Sequence, residues 1–413
     1  MKFNPTLVAL GMLLGVGIIV GAYQLGQQGG DATAMKDGAP VNASQAPASQ
    51  QQPQRQVSLY PNDAEMQANA PRFSHFRVGN RNVKSIFVDG KYVWVGTSGG
   101  VIRYDTELDD YQLFNNKNSS LLSNGTFRIS RLGNPMVIGT YGGGMALFDL
   151  ETESWETINI PQGLADQFVY DVLRVDNGDV WIATWSGANR VRNGEFDNPD
   201  AWETFTVENT HGGLPNPWVY GVEKGVNGDI WFATEAGLAL YRDGKWQNWN
   251  HDAGLGADFE VVKNAIQFKS DPGQASMHHS RQKDEQGLHN VNVAYNPNYV
   301  ISMQVQKDGT VWAGTWGAGL ARYKDGVWKN FTSFDGLPAN HIFMLYLDPQ
   351  ENLWIGTSKG LALFNRDTET FSVKTMADGL YAENVFSMTD GKDGDMWIGS
   401  FGGVAHIEHG WNN

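Results

Sequence analysis

Apolar and polar positions alternate in short bursts along most of this chain, and one burst recurs seven times. Trp-Val-Gly-Thr at 94–97 returns as Val-Ile-Gly-Thr at 137–140, Trp-Ile-Ala-Thr at 181–184 and Trp-Phe-Ala-Thr at 231–234. It then returns as Trp-Ala-Gly-Thr at 312–315, Trp-Ile-Gly-Thr at 354–357 and Trp-Ile-Gly-Ser at 397–400. The intervals are 43, 44, 50, 81, 42 and 43 residues, so one interval is a period carrying an insertion at about 256–297. A period of roughly 40–50 residues is that of a propeller blade. Each phrase predicts a strand: an apolar stretch, a small residue that lets another backbone approach, a Thr or Ser, and glycine-rich punctuation.

About ten residues ahead of the phrases lie other apolar runs, such as 82–88, 169–175, 299–305 and 342–347, each followed by a turn such as Asp89-Gly90 or Asp308-Gly309. This is hairpin grammar, joining a first strand to the phrase strand. The Asp-rich turns lack the spaced ligands and distal Glu of a calcium loop and read as turn chemistry. A third strand follows (Leu320–Tyr323, Leu361–Phe364), then a fourth marked by aromatic pairs such as Trp328 and Phe331. Seven phrases are followed by only six such fourth strands, while Phe73 and Phe76 carry the same aromatic spacing ahead of the first repeat. The prediction is an all-β, seven-bladed β-propeller spanning 72–413, closed by an N-terminal strand that pairs with the C-terminal strands and removes the open edge.

Ahead of the repeats the pattern changes. Leu7 to Tyr23 run apolar without a charge, and 17 residues span about 25 Å as a helix, within the range of a membrane crossing. Residues 1–23 read as a signal anchor, with Lys2 favouring the N-terminus inside; a cleaved signal peptide ending near Ala32 to Ala34 is the other reading. Small residues at 11 and 15, and at 17 and 21, have the spacing of close helix pairing. Residues 24–71, rich in Gln, Ala, Pro, Ser and Asn, read as a disordered linker that cannot bury enough apolar surface to order itself. The expected location is the inner membrane, single-pass, with the propeller in the periplasm.

Composition narrows the function. Aromatics make up 12% of the chain and charged residues only 18%, with 49 glycines, as suits many short strands on a large aromatic core. A net charge of −15 argues against nucleic acid or an anionic lipid surface as the main partner. The absence of cysteine excludes thiol nucleophiles, disulfides, thiolate zinc sites and a lipobox.

Strand polarity brings the segments after the phrases, and the loops between blades, to one mouth of the central channel. Tyr141, Trp185, Trp316 and Phe401 follow their phrases directly, on loops where they either stack on a ligand or pack between blades. Arg81, Trp218 and His341, with Asn216, Asn298, Asn340 and Asn384, open the first strands at the same mouth, the asparagines in cap and turn roles. The insertion at 256–297 falls on this face as a candidate lid. It holds Met277, His278, His279 and His289, close to His251; these are metal-type ligands without a recognised spacing among several Lys and Arg, so no cofactor is predicted and a metal ion is a minor alternative.

The grammar of Asp-Gly turn, Trp-Ile-Gly-Thr phrase, paired glycines, aliphatic-Tyr strand and Asp-Gly-Leu-Pro at 335–338 resembles the two-component regulator propeller repeat. That resemblance implies the periplasmic sensing part of a signalling system, although this sequence carries no kinase core, DNA-binding module or second β-domain. The Gly- and aromatic-rich mouth suits recognition of a small molecule, glycan or protein, read out by a separate sensor kinase or an envelope complex, and catalysis is the less favoured reading. No Gly-x-Ser-x-Gly elbow, P-loop or His-Glu-x-x-His helix is present. The alternatives are a structural scaffold and a lyase or hydrolase. The second rests on 229–235, which is similar to streptogramin-lyase-like propellers and implies His341 or a lid histidine as general base beside Glu235.

Overall fold

The computed structural model describes residues 73–411. The anchor expected at 1–23 and the linker at 24–71 lie outside the described residues, within which no helix is long and apolar enough to cross a membrane. The described chain is an all-β propeller. Five antiparallel four-stranded sheets are built from residues 126–158, 169–205, 219–249, 296–331 and 342–374. A sixth sheet has six strands in the order Val385–Asp390, Met396–Ile407, Phe73–Asp89, Tyr92–Thr97, Gly100–Asp105, Asp110–Phe114.

Seven phrases thus give six hydrogen-bonded sheets, not the seven separate blades expected. The reason is that the strand Phe73–Asp89 is shared, joining the last repeat to the first in one hydrogen-bonded sheet. Phe73 to Arg77 pair with Ile407 to Gly403, whereas Val83 to Asp89 of the same strand pair with Thr97 to Tyr92. Met396 to Ser400 pair in turn with Asp390 to Val385. The expected closure is therefore present as one continuous sheet, with a register shift between Arg77 and Asn82 where the first strand changes partner.

The recurring phrase is buried because each phrase strand lies within its sheet and both of its faces meet neighbouring sheets. The strands Met136–Thr140, Val180–Thr184, Ile230–Thr234 and Leu353–Thr357 are buried at every position. Trp94 packs against Phe114 of its own fourth strand and Phe148 of the following sheet, with ring centroids at 6.0 and 5.3 Å. Burying such a ring contributes several kcal/mol through area and shape together, on the order of 3. The small residue is explained by close approach. A Cβ on Gly96 would lie 2.6 Å from Thr126 Cγ2, and one on Gly314 would lie 2.6 Å from Ile342 Cγ2, so a larger side chain would push the next sheet outward.

The Thr that ends the phrase makes the turn. In six repeats its hydroxyl donates to a glycine carbonyl three or four residues on, from Thr97 to Gly100 at 2.9 Å through Thr357 to Gly360 at 2.9 Å. The same oxygen accepts a backbone N–H within the loop, as from Gly99 at 3.0 Å. Ser400 makes neither bond, although the chain turns back after it as well, so that His406 stacks on Trp397 at 4.1 Å.

Phe76 rests on Trp397 at 5.5 Å and on Tyr104 at 4.9 Å, tying the closure strand to both sides of the six-stranded sheet. Phe76→Ala is expected to lower stability by about 2 kcal/mol, less than a fully buried ring because Phe76 is half-buried. Urea unfolding checks this, and an unchanged midpoint would mean the closure strand contributes nothing.

Candidate functional site: a lidded aromatic mouth above a polar channel

The first strands begin, and the phrases end, on one face of the ring. The pairs Thr126 with Thr140, Val169 with Thr184, Val219 with Thr234, Val300 with Thr315 and Ile342 with Thr357 mark that rim. From it the side chains form an unbroken arc. Tyr141 meets Phe168 edge-on at 4.6 Å, Phe168 meets Trp185 at 4.5 Å, and Trp185 meets Trp218 at 4.3 Å. Trp218 stacks on His278 at 3.7 Å, His279 faces Tyr299 at 5.9 Å, Tyr299 stacks on Trp316 at 5.6 Å, and Trp316 meets His341 at 5.3 Å.

Of the residues picked from sequence, Tyr141, Trp185, Trp218, Trp316 and His341 are brought together, while Arg81 and Phe401 are not. Phe401 pairs with Asn82 in the six-stranded sheet, and the Arg81 guanidinium covers Gly99, where a Cβ would come within 2.3 Å of it. The asparagines serve turns and caps, as when Asn216 accepts from Trp218 N–H at 2.8 Å and Asn340 from Ser333 N–H at 2.8 Å. Phe168 and Tyr299 escaped the sequence reading although they occupy the same register as Trp218 and His341, one residue before the first strand's opening residue.

The insertion folds over this arc as three short helices, α1 (Phe259–Val262), α2 (Pro272–Ala275) and α3 (Met277–Glu285). Its small core of Ala257, Val262 and Tyr295 includes Ala318 of the propeller. Lys283 holds the insertion to itself, bonding Asp271 at 2.8 Å and the carbonyls of Val291 and Val293 at 2.6 and 3.0 Å. Phe268 wedges between Trp316, His341 and Phe343 at 5.6, 4.9 and 5.6 Å.

The first turn of α3 lowers two histidines onto Glu235, which is completely buried. His278 Nε2 reaches one carboxylate oxygen at 3.0 Å, and His279 Nε2 lies 3.1 Å from the other but outside the direction a hydrogen bond needs. Glu235 Oε1 and both ring nitrogens of His279 are thereby buried without a hydrogen-bond partner. Burial pushes the Glu235 carboxyl up, opposed by the hydrogen bond and charge of His278, and it pushes His279 down to about 3, helped by His278. Glu235 is thus met by lid histidines. His341 instead gives its Nε2–H to the Ala294 carbonyl at 2.7 Å, and burial lowers it to about 4 against that bond. His289 is exposed, and among the described residues no three His, Cys, Asp or Glu side chains are grouped so as to hold a metal.

Beneath the mouth the channel encloses a cavity of about 500 Å³, lined by the innermost strand of every sheet. Phe127, Tyr170 and Tyr220 follow one another at 4.5 and 4.9 Å, and Phe343 meets Phe386 at 5.1 Å, forming a girdle at its lid end. Further along are Arg128 paired with Asp171 at 3.0 Å and Gln304 donating to Glu223 at 2.7 Å. None of these was singled out from sequence, since they sit inside strands where alternation alone does not separate channel from core.

With this geometry in place, the comparisons are specific at the level of the repeat and the fold. Residues 336–359 match the family described as Two component regulator propeller, in the repeat that opens Gly336-Leu337-Pro338. The extracellular domain of a protein from B. thetaiotaomicron described as a hybrid two component system is similar with a TM-score of 0.62 and 16% identity, over 82% of this chain and 42% of that one. A second extracellular domain from B. thetaiotaomicron, described as part of a one component system, has a TM-score of 0.57 and 18% identity over 81% of this chain and 39% of its own. This chain therefore spans less than half of either extracellular domain. Virginiamycin B lyase from Staphylococcus aureus is similar over 82% of this chain and 99% of its own, with a TM-score of 0.55 and 10% identity. No curated protein matches the sequence. At these identities the likenesses define a class of architecture, the β-propeller.

The buried histidines make the mouth acid-sensitive. Opened or unfolded, His279 and His341 take up protons below about 6.5, whereas in place they do so only near their lowered values, so stability is lost as pH falls from about 6.5. Glu235, raised in place, works in the opposite direction but is one group against two. Between pH 7 and 5.5 the protein is expected to lose roughly 1–2 kcal/mol in thermal unfolding, and His341→Gln, which keeps a donor for Ala294, should remove part of that loss. A flat profile would contradict the assignment.

Proposed function

We propose that this chain is a recognition propeller of the sensory and regulatory kind, without catalysis of its own. In this reading residues 1–23 anchor it in the inner membrane, residues 24–71 tether it, and the propeller stands in the periplasm. The six-stranded sheet counts as two radial units, which restores seven-fold repetition around the channel. The ligand is a small molecule, a glycan or a segment of a protein with a flat face, and its capture is passed to a separate sensor kinase or an envelope complex.

One observation carries the proposal: an arc of aromatic faces lies under a lid seated on it through a His-Glu-His contact that leaves three polar atoms unsatisfied. A lid that served stability alone would be expected to satisfy those atoms, because an unpaired buried polar group costs about 1–3 kcal/mol. A ligand that displaces the lid exchanges that contact for its own and gains aromatic surface. The match of 336–359 to the regulator propeller repeat and the likeness to extracellular domains of a two component and a one component system support the sensory reading.

A second reading is favoured by the His278–Glu235 pair at 3.0 Å, an acid-base arrangement in a propeller that also resembles virginiamycin B lyase in fold. One experiment separates the two. Solubilised full-length protein is used to capture small molecules and proteins from an envelope extract, in parallel with Trp185→Ala/Trp316→Ala and His278→Ala. The recognition reading expects the double aromatic variant to lose at least about tenfold in capture with its fold intact. Undiminished capture by the double variant overturns it, and turnover of a captured molecule that disappears in His278→Ala replaces it with the enzyme.

A further inference from the structure

We propose that the central channel is a second binding site, separate from the lidded mouth, and that it takes a small aromatic carboxylate. The cavity of about 500 Å³ lies in the range of sites that enclose small ligands, roughly 300–1,000 Å³. Its walls supply both halves of such a ligand's chemistry.

The anionic half is called for by Lys84. This lysine lies on the innermost part of the first strand and lines the channel, with Nζ 4.7 Å from the centre of the Phe386 ring. Among the described residues no carboxylate stands within ion-pair distance of it, whereas Arg128, the other basic residue on the channel wall, is matched by Asp171. A half-buried ammonium without a counter-ion is partly desolvated, and a ring face offsets only part of that cost. A bound anion supplies the missing partner.

The rest of the wall indicates a single negative charge. Glu223 is pushed up to about 8 by burial and by Asp171, against Arg128 and the Gln304 hydrogen bond, so at neutral pH it is mainly a protonated donor. With Arg128 and Asp171 cancelling, Lys84 leaves the lining with one net positive charge. That suits a carboxylate better than a doubly charged phosphate, and a protonated Glu223 is able to donate to a carboxylate oxygen. The apolar half is the girdle of Phe127, Tyr170, Tyr220, Phe343 and Phe386, which offers ring faces and edges to a flat group.

The site carries its own pH signature. Burial lowers Lys84 to about 8, the same region in which Glu223 ionises. As pH rises through that region the wall loses a positive charge and gains a negative one, and both changes weaken an anion. The other charged groups on the wall, Arg128 and Asp171, are paired to each other.

The test is calorimetric titration of solubilised full-length protein with benzoate, phenylacetate and 3-phenylpropionate, each against its amide. At pH 7 at least one acid is expected to bind about tenfold or more tightly than its amide, with Lys84→Met removing that preference. Trp185→Ala should leave the preference intact, which separates this site from the mouth. Affinity should fall about tenfold or more between pH 7 and 9, and Glu223→Gln should reduce the fall. Lys84→Met should also unfold at a higher temperature than the parent, since it removes an unpaired, half-buried charge. The proposal is overturned if no acid outbinds its amide, if Lys84→Met binds as the parent does, if Trp185→Ala abolishes the preference, or if Lys84→Met unfolds at a lower temperature.

Discussion

The pairing of Phe73 to Arg77 with Gly403 to Ile407 joins residues more than 300 positions apart, and the rest of the ring depends on it. Without that ladder, residues 403–407 would be left with an unpaired edge, and the first and last phrases would have no common sheet. Side chains reinforce the joint where the backbones meet. Ser387 Oγ donates to the Val83 carbonyl at 3.0 Å, His75 Nε2 lies 2.8 Å from the Gly379 carbonyl, and Trp411 Nε1–H donates to the Asp378 carbonyl at 2.9 Å. Closure constrains the site, because it bends the repeats into a ring on which Tyr141, Trp185 and Trp316 share one rim.

Around that ring the phrase performs three tasks with few residues. Its aromatic fills the space between sheets, its small residue admits the next first strand, and its Thr turns the chain back so that the following residue stands at the rim. Tyr141, Trp185 and Trp316 therefore inherit their placement from a packing rule. The lid adds what the repeat cannot: α3 brings polar groups to a buried carboxylate, and Phe268 brings an apolar wedge. Lys283 braces the lid from within, so the insertion has hydrogen bonds of its own in addition to its contacts with the propeller.

Much of this was legible in the residues, and the failures have physical causes. Repeat spacing, hairpin turns and the closure strand could be read because periodic burial leaves a periodic trace. The sheet count could not, since nothing in composition distinguishes a strand that ends from one that bends and changes partner near Arg77 to Asn82. Phe168 and Tyr299 stand at the same rim position as Trp218 and His341, but in sequence each reads as one more apolar residue of a first-strand run. The meeting of Glu235 with His278 and His279 joins residues 43 and 44 positions apart through an irregular insertion, for which no local period exists. Lys84 and Glu223 looked like ordinary polar positions on alternating strands, and only the curvature of the ring turns that face inward.

The central claim is that a firmly closed ring carries a lid able to open without the ring unfolding. Hydrogen exchange on the full chain at pH 7, resolved by peptide, tests both halves at once. The account predicts that amides of 73–77 and 403–407 exchange only through global unfolding, while those of 277–285 exchange at least roughly 100-fold faster through local opening. Equal protection of the lid and the closure strands, or early exchange of the closure strands, would contradict it.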